Sequence, residues 1–137
     1  MPDTHTDEFS ATAREEAVQQ FAVLSAEMVA RADELVALLL EHKEERWADN
    51  FAYFSSEMKA ADTDSAYEAA LRLHRSFYGG MGSWNDFYLL ALGEAEAKRG
   101  ALTGELGSLS EQFIAALAAA PKSPVSSLWR RLLRRFS

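Results

Sequence analysis

Three features of the chain predict an all-α fold, a mostly antiparallel bundle of four or five helices with a basic amphipathic C-terminal helix. Residues 3–78 contain neither glycine nor proline, 24 alanines add helical propensity, and apolar residues recur at three- and four-residue steps. The 137 residues, 48% hydrophobic and 26% charged, suit one domain with a single core. The expected organisation is a flexible N-terminus at 1–11, the bundle at 12–120, a linker at 121–127 and a tail at 128–137.

Thr12-Ala13-Arg14-Glu15 has capping-box spacing and predicts the start of a first helix running to near Lys43. Its expected apolar face carries Val18, Phe21, Ala22, Met28, Val29, Ala32, Leu35, Val36 and Leu39, and its length leaves room for a bend near Arg31–Asp33. A corner is expected within Glu41–Arg46, where the apolar stripe changes although no glycine or proline is present. A second helix follows with Trp47, Phe51, Phe54 and Met58 on one face. Asp62-Thr63-Asp64-Ser65 offers cap candidates, and Ser65 with Glu68 makes a second capping box. The third helix is apolar over most of its circumference, so it should be central, and Gly79 should end it. A fourth helix is expected from Ser83 to Lys98-Arg99-Gly100, with a short strand at Phe87–Leu92 as the competing reading. A last helix carries Leu102, Leu106, Leu109, Phe113 and Leu117, and Pro121 closes it. Gly104 and Gly107 within it either permit close helix approach or mark a frayed start.

Charge is distributed unevenly. All 21 acidic residues precede Pro121 and five of the 14 basic ones follow it, leaving the body at −12 and the tail at +5. So acidic a body repels phosphate backbones and attracts basic partners, which argues against nucleic-acid binding. The absence of cysteine removes thiol nucleophiles, disulfides and cysteine zinc sites together. No apolar run approaches the roughly 20 residues that cross a bilayer. The acidic N-terminus has no signal-peptide character, and the expected location is the cytoplasm.

The densest motif is Tyr78-Gly79-Gly80-Met81-Gly82-Ser83-Trp84-Asn85-Asp86, followed by Phe87 and Tyr88. Three glycines in four residues allow a sharp turn or a close approach, and Ser83, Asn85 and Asp86 gather polar atoms. Two readings stand side by side: a binding corner, and a tight interhelical turn whose Met and Trp plug the bundle end. The lysine of a phosphate-binding loop is missing. These nine residues resemble the Y-G-G-M-G-S-x-N-D signature of an uncharacterised family of small bacterial helical proteins. The resemblance extends over residues 33–90 and includes Arg46-Trp47-Ala48, with Trp84 standing where the family more often has Phe or Leu. It implies binding and not chemistry, since the family's members resemble small immunity-type proteins encoded near bacterial toxin genes.

His42 lies near Glu41 and Glu45, but no facing helix repeats a Glu-x-x-His motif, so no metal is expected. His74, between Leu71 and Tyr78 on an apolar stripe, reads as a hydrogen-bonded core residue. No G-x-S-x-G elbow is present to expose a nucleophilic serine. In the tail, Leu128, Trp129, Leu132, Leu133 and Phe136 form one helical face flanked by Arg130, Arg131, Arg134 and Arg135. That pattern suits an anionic membrane surface, an acidic groove of a partner, or the acidic body itself. The expected function is therefore that of a noncatalytic immunity-like protein that binds a basic toxin or effector and needs no cofactor. Its contacts would come from Tyr78 to Asp86 and Tyr88, with Trp84, Asn85, Asp86 and Tyr88 as anchors. The alternative is a peripheral membrane or scaffold protein held at the inner membrane face by residues 129–136. A third class is a ligand-binding module using the same corner with His74, which requires a pocket there.

Overall fold

The computed structural model describes residues 4–79, 82–87 and 93–121. These form four α-helices, α1 (Thr4–Glu41), α2 (Glu45–Ala60), α3 (Asp64–Ser76) and α4 (Gly93–Ala119), with a 3₁₀ turn at Trp84–Asp86. Paired residues fix the topology. Ser25 meets Met58 and Asp33 meets Ser55, so α2 runs antiparallel to α1. Phe54 meets His74 and Phe51 meets Phe77, so α3 runs antiparallel to α2. Arg14 reaches Pro121, Phe21 stacks on Phe113 and Arg31 pairs with Glu105, so α4 returns antiparallel along α1. The result is an all-α, up-down-up-down four-helix bundle.

Its core follows the stripes read from the sequence, except that Val18 and Ala22 of the α1 stripe are exposed and Val29 and Val36 are half-buried. Phe21, Met28, Ala32, Leu35 and Leu39 of α1 are fully buried against Phe51, Phe54 and Met58 of α2 and Leu106 and Phe113 of α4. Phe21, Tyr67 and Phe113 form one aromatic cluster, at the end of the bundle where α3 begins. Beside it, the Arg14 guanidinium grips both carboxylate oxygens of Asp64 at 2.9 and 2.5 Å and donates to the Pro121 carbonyl at 2.9 Å. One side chain of α1 thereby ties down the start of α3 and the end of α4.

Several boundaries differ from expectation. The helix does not start at the Thr12 capping box; α1 begins at Thr4 and runs through that site as one helix of 38 residues. A capping-box pattern marks a start only where the preceding chain leaves the helix, and nothing in residues 4–11 forces it to do so. The α1–α2 corner falls where expected, and its mechanism is specific. Lys43 adopts φ 62°, Lys43 N–H donates to Leu40 O and Glu44 N–H donates to Leu39 O. This is the Schellman closure with lysine in the left-handed position that glycine usually takes. α3 is capped by Thr63, whose hydroxyl accepts from Ala66 N–H at 3.1 Å, and Ser65 lies inside the helix.

The largest correction concerns the helix expected at Ser83–Gly100. Among the described residues of this stretch there is one 3₁₀ turn at Trp84–Asp86, Phe87 is extended, and α4 spans Gly93–Ala119 and so continues through Lys98-Arg99-Gly100. Gly100, Gly104 and Gly107 each cost about 1 kcal/mol of helix propensity. Burial of Ala95, Leu102, Leu106, Leu109 and Phe113 along one face outweighs that cost. No close helix approach explains these glycines, because a Cβ at any of the three would meet nothing within 4 Å. The competing strand reading falls mostly on residues 88–92, outside the described residues.

Candidate functional site

The glycine-rich corner is built around Trp84. Gly79 (φ 101°) and Gly82 (φ 75°) supply the left-handed turns that carry the chain off α3 and back. Trp84 N–H then donates to Phe77 O at 2.8 Å, which folds the indole into the end of the bundle. There it is 1% exposed, edge-on to Trp47 and Phe51 and stacked on Phe87. Its Nε1–H donates to Thr103 Oγ1 at 3.1 Å, and the Arg99 guanidinium, held by Glu96, lies 4.9 Å above the ring.

Trp84 is thus a packing residue and not a surface anchor, which favours the plug over the binding corner at this position. Gly79, Gly82 and Asn85 are exposed; Tyr78 and Ser83 are half-buried, and Ser83 Oγ has no hydrogen-bond partner among the described residues. Asp86 closes the 3₁₀ turn. Gly80, Met81 and Tyr88 of the expected site, and the whole tail from Trp129 through Arg130, Arg131, Leu132, Leu133, Arg134 and Arg135 to Phe136, lie outside the described residues.

His74 is buried, as its place on the stripe implies, with Nε2 3.0 Å from Tyr78 Oη. Burial pushes its pKa down from 6.5 to about 4 and pushes that of the Tyr78 phenol up to about 12, the latter opposed by Arg99. Both groups are therefore neutral near pH 7, and His74 Nδ1 has no hydrogen-bond partner among the described residues. The two residues line an open cavity of about 540 Å³ between α3 and α4. No group of three or more His, Asp or Glu residues that could hold a metal ion occurs among the described residues.

A surface that the sequence reading did not single out lies across α1 and α2. An open depression of about 710 Å³ is floored by Val36, Ala37, Leu40, Ala52 and Ser56. Leu40 is 53% exposed, and Tyr53 of α2 is 57% exposed. Glu34 and Glu41 of α1 and Glu45 and Asp49 of α2 are exposed on the same two helices. At the far end of the depression Asp33 accepts from Ser55 Oγ at 2.6 Å and pairs with Lys59. The available signal was Tyr53, an aromatic off the Trp47/Phe51/Phe54/Met58 stripe. No described helix is long and apolar enough to cross a membrane.

The model of one protein family, described as a domain of unknown function (DUF6966), matches residues 40–96. That span takes in the α1–α2 corner, α2, α3 and the glycine-rich corner. Neither a curated protein nor a solved structure matches the chain.

Proposed function

We propose that the protein is a noncatalytic binding module, an immunity-like protein of the bacterial cytoplasm that neutralises a basic toxin or effector by direct contact. The observation that carries this reading is the outer surface of α1 and α2, where a shallow small-residue depression lined by exposed Leu40 is accompanied by exposed Tyr53, Glu34, Glu41, Glu45 and Asp49 on the same two helices. Large side chains with apolar area are the residues that anchor interfaces, and an excess of carboxylates raises the rate of encounter with an oppositely charged partner. The body's −12 charge works in the same direction at longer range. This moves the interface from Trp84, which is buried, to Tyr53, which is not.

The test is affinity capture from the native host by the full chain, by Tyr53→Ala/Asp49→Lys and by Asn85→Ala, followed by growth rescue against the captured protein. Both altered positions of the double variant are exposed, so helicity should be retained. One stoichiometric basic protein held by wild type and Asn85→Ala but lost from the double variant, with toxicity relieved only by the binders, supports the reading. Loss from Asn85→Ala alone returns the interface to the glycine-rich corner. A protein that holds no stoichiometric partner and relieves no toxicity overturns the proposal.

A further inference from the structure

The end of α4 opens onto a surface that the described helices leave uncovered. An open trough of about 530 Å³ lies between α1 and α4, and Pro121, the last described residue, is part of its lining. Alanines floor it, among them Ala13 and Ala17 of α1 and Ala116 and Ala119 of α4. Val23, three residues beyond the lining residue Gln20 and so on the same side of α1, is 60% exposed. A floor of methyl groups between two helices accepts the large side chains of a third, because small residues on one side make room for large ones on the other.

Charge selects the occupant. The α1–α2 depression has Lys59 in its lining and the depression between α3 and α4 has Arg72 and Arg75, whereas the α1–α4 trough has Glu16 and no cation among its described lining. Glu16 makes no ion pair among the described residues. Between Arg14 and Arg31, α1 carries no lysine or arginine, and α4 carries none after Arg99. Arg14 is engaged by Asp64 and the Pro121 carbonyl, and Arg31 is paired with Glu105. Glu16, Glu27, Glu105 and Glu111 stand exposed on the two helices, so this part of the body attracts a cationic segment.

We infer that the α1–α4 trough is the seat of the chain's own residues 128–136, which lie outside the described residues and dock there as a fifth helix. At helical spacing Trp129, Leu132, Leu133 and Phe136 share one face, which meets the alanines, while the flanking arginines meet the carboxylates of α1 and α4. A helix of nine residues is marginal alone in water and needs such a surface. Residues 122–127 span up to about 20 Å when extended, twice the roughly 10 Å from Ala13 to Gln20, so the chain leaving Pro121 can turn back into the trough. Leu40 on the α1–α2 surface lies about 39 Å along α1 from Arg14, beyond the roughly 33 Å that linker and tail helix reach together. This contact is separate from the α1–α2 surface and stands whether or not that surface binds a protein.

Because the chain has no cysteine, Ser137→Cys places a single nitroxide spin label at the end of the tail of the full ¹⁵N-labelled chain. The amide signals of Gln20, Gln112 and Ala115 should broaden, and those of Ala52 and Tyr53 on α2 should stay sharp. Raising the salt from about 0.1 M to about 1 M shortens the screening length from about 10 Å to about 3 Å and should weaken the broadening. Glu16→Lys/Gln112→Lys, at two exposed lining positions, should lose it with the helical signal unchanged. Arg130→Glu/Arg134→Glu, on the tail itself, should lose it as well. In a mixture of ¹⁵N chain without the label and labelled chain without ¹⁵N, no signal should broaden. Trough signals that stay sharp, broadening centred on Leu40 and Tyr53, broadening in the mixture, or undiminished broadening in the charge-reversed variants would overturn the assignment.

Discussion

Trp84 Nε1–H donates to Thr103 Oγ1 across 3.1 Å, and the same hydroxyl donates to the Arg99 carbonyl at 2.7 Å. The glycine-rich corner is thereby fastened to the middle of α4 through a part-buried, directional contact. Removing the indole would leave a large void at the bundle end. Trp84→Ala should cost about 3–5 kcal/mol of unfolding free energy, and Thr103→Val, which strands the indole N–H, about 1–3 kcal/mol. Urea denaturation of the two single variants and the double variant measures both, and a coupling energy near zero would show that the hydrogen bond is not what holds the corner.

The Lys43 conformation gives a prediction of opposite sign. A residue with a Cβ in the left-handed region is strained by about 1 kcal/mol, and Lys43 sits at φ 62° as the closing residue of α1. Lys43→Gly relieves that strain, while glycine's freedom in the unfolded chain returns part of the gain. The expected net effect is a stabilisation of about 0.5 kcal/mol, read as a shift of the urea midpoint at unchanged m-value.

Gly104 should respond to the addition of a methyl group. It lies inside α4 in ordinary helical conformation, with open space where a Cβ would go. Gly104→Ala should stabilise the bundle by about 0.5–1 kcal/mol through helix propensity and reduced freedom of the unfolded chain. A destabilisation in thermal unfolding would mean that something packs against Gly104 in solution.

These positions mark the limits of what the chain discloses. The stripes Trp47/Phe51/Phe54/Met58 and Leu102/Leu106/Leu109/Phe113 were legible because a buried helical face repeats with the helix period, and every one of those residues is buried. The end expected at Lys98-Arg99-Gly100 was not an end. Arg99 is used instead as a lid over Trp84, a contact between residues fifteen apart that no local pattern encodes. The α1–α2 corner was legible from the change of stripe, but its left-handed residue was not, since lysine carries no signal for that conformation. The glycine-rich corner was recognisable as special, yet whether its tryptophan faces inward depends on the space left by Trp47 and Phe51 on another helix. Tyr53 and Leu40 were readable only as residues off the stripe, and what surrounds them is decided by the neighbouring helix.

His74 makes stability depend on pH in a defined window. Its folded-state pKa is lowered to about 4 by burial, while in the unfolded chain it returns to about 6.5. Above about pH 6.5 the ring is neutral in both states and the group contributes no slope. As pH falls below that, the unfolded state takes up a proton that the folded state refuses, so stability declines by about 1.4 kcal/mol per pH unit. The decline ends near pH 4, where the folded protein also protonates, after a total loss of about 3 kcal/mol. Tyr78 beside it, neutral until about pH 12, adds nothing to this window; Arg99 is the charge that acts on Tyr78, and Arg75 and Glu111 line the cavity that both rings share. The measurement is urea unfolding at a series of pH values from 7.5 to 4, comparing wild type with His74→Gln. The variant should be less stable than wild type at neutral pH, and its slope between pH 6.5 and 4 should be shallower by about one proton; parallel slopes would mean that His74 does not carry the dependence.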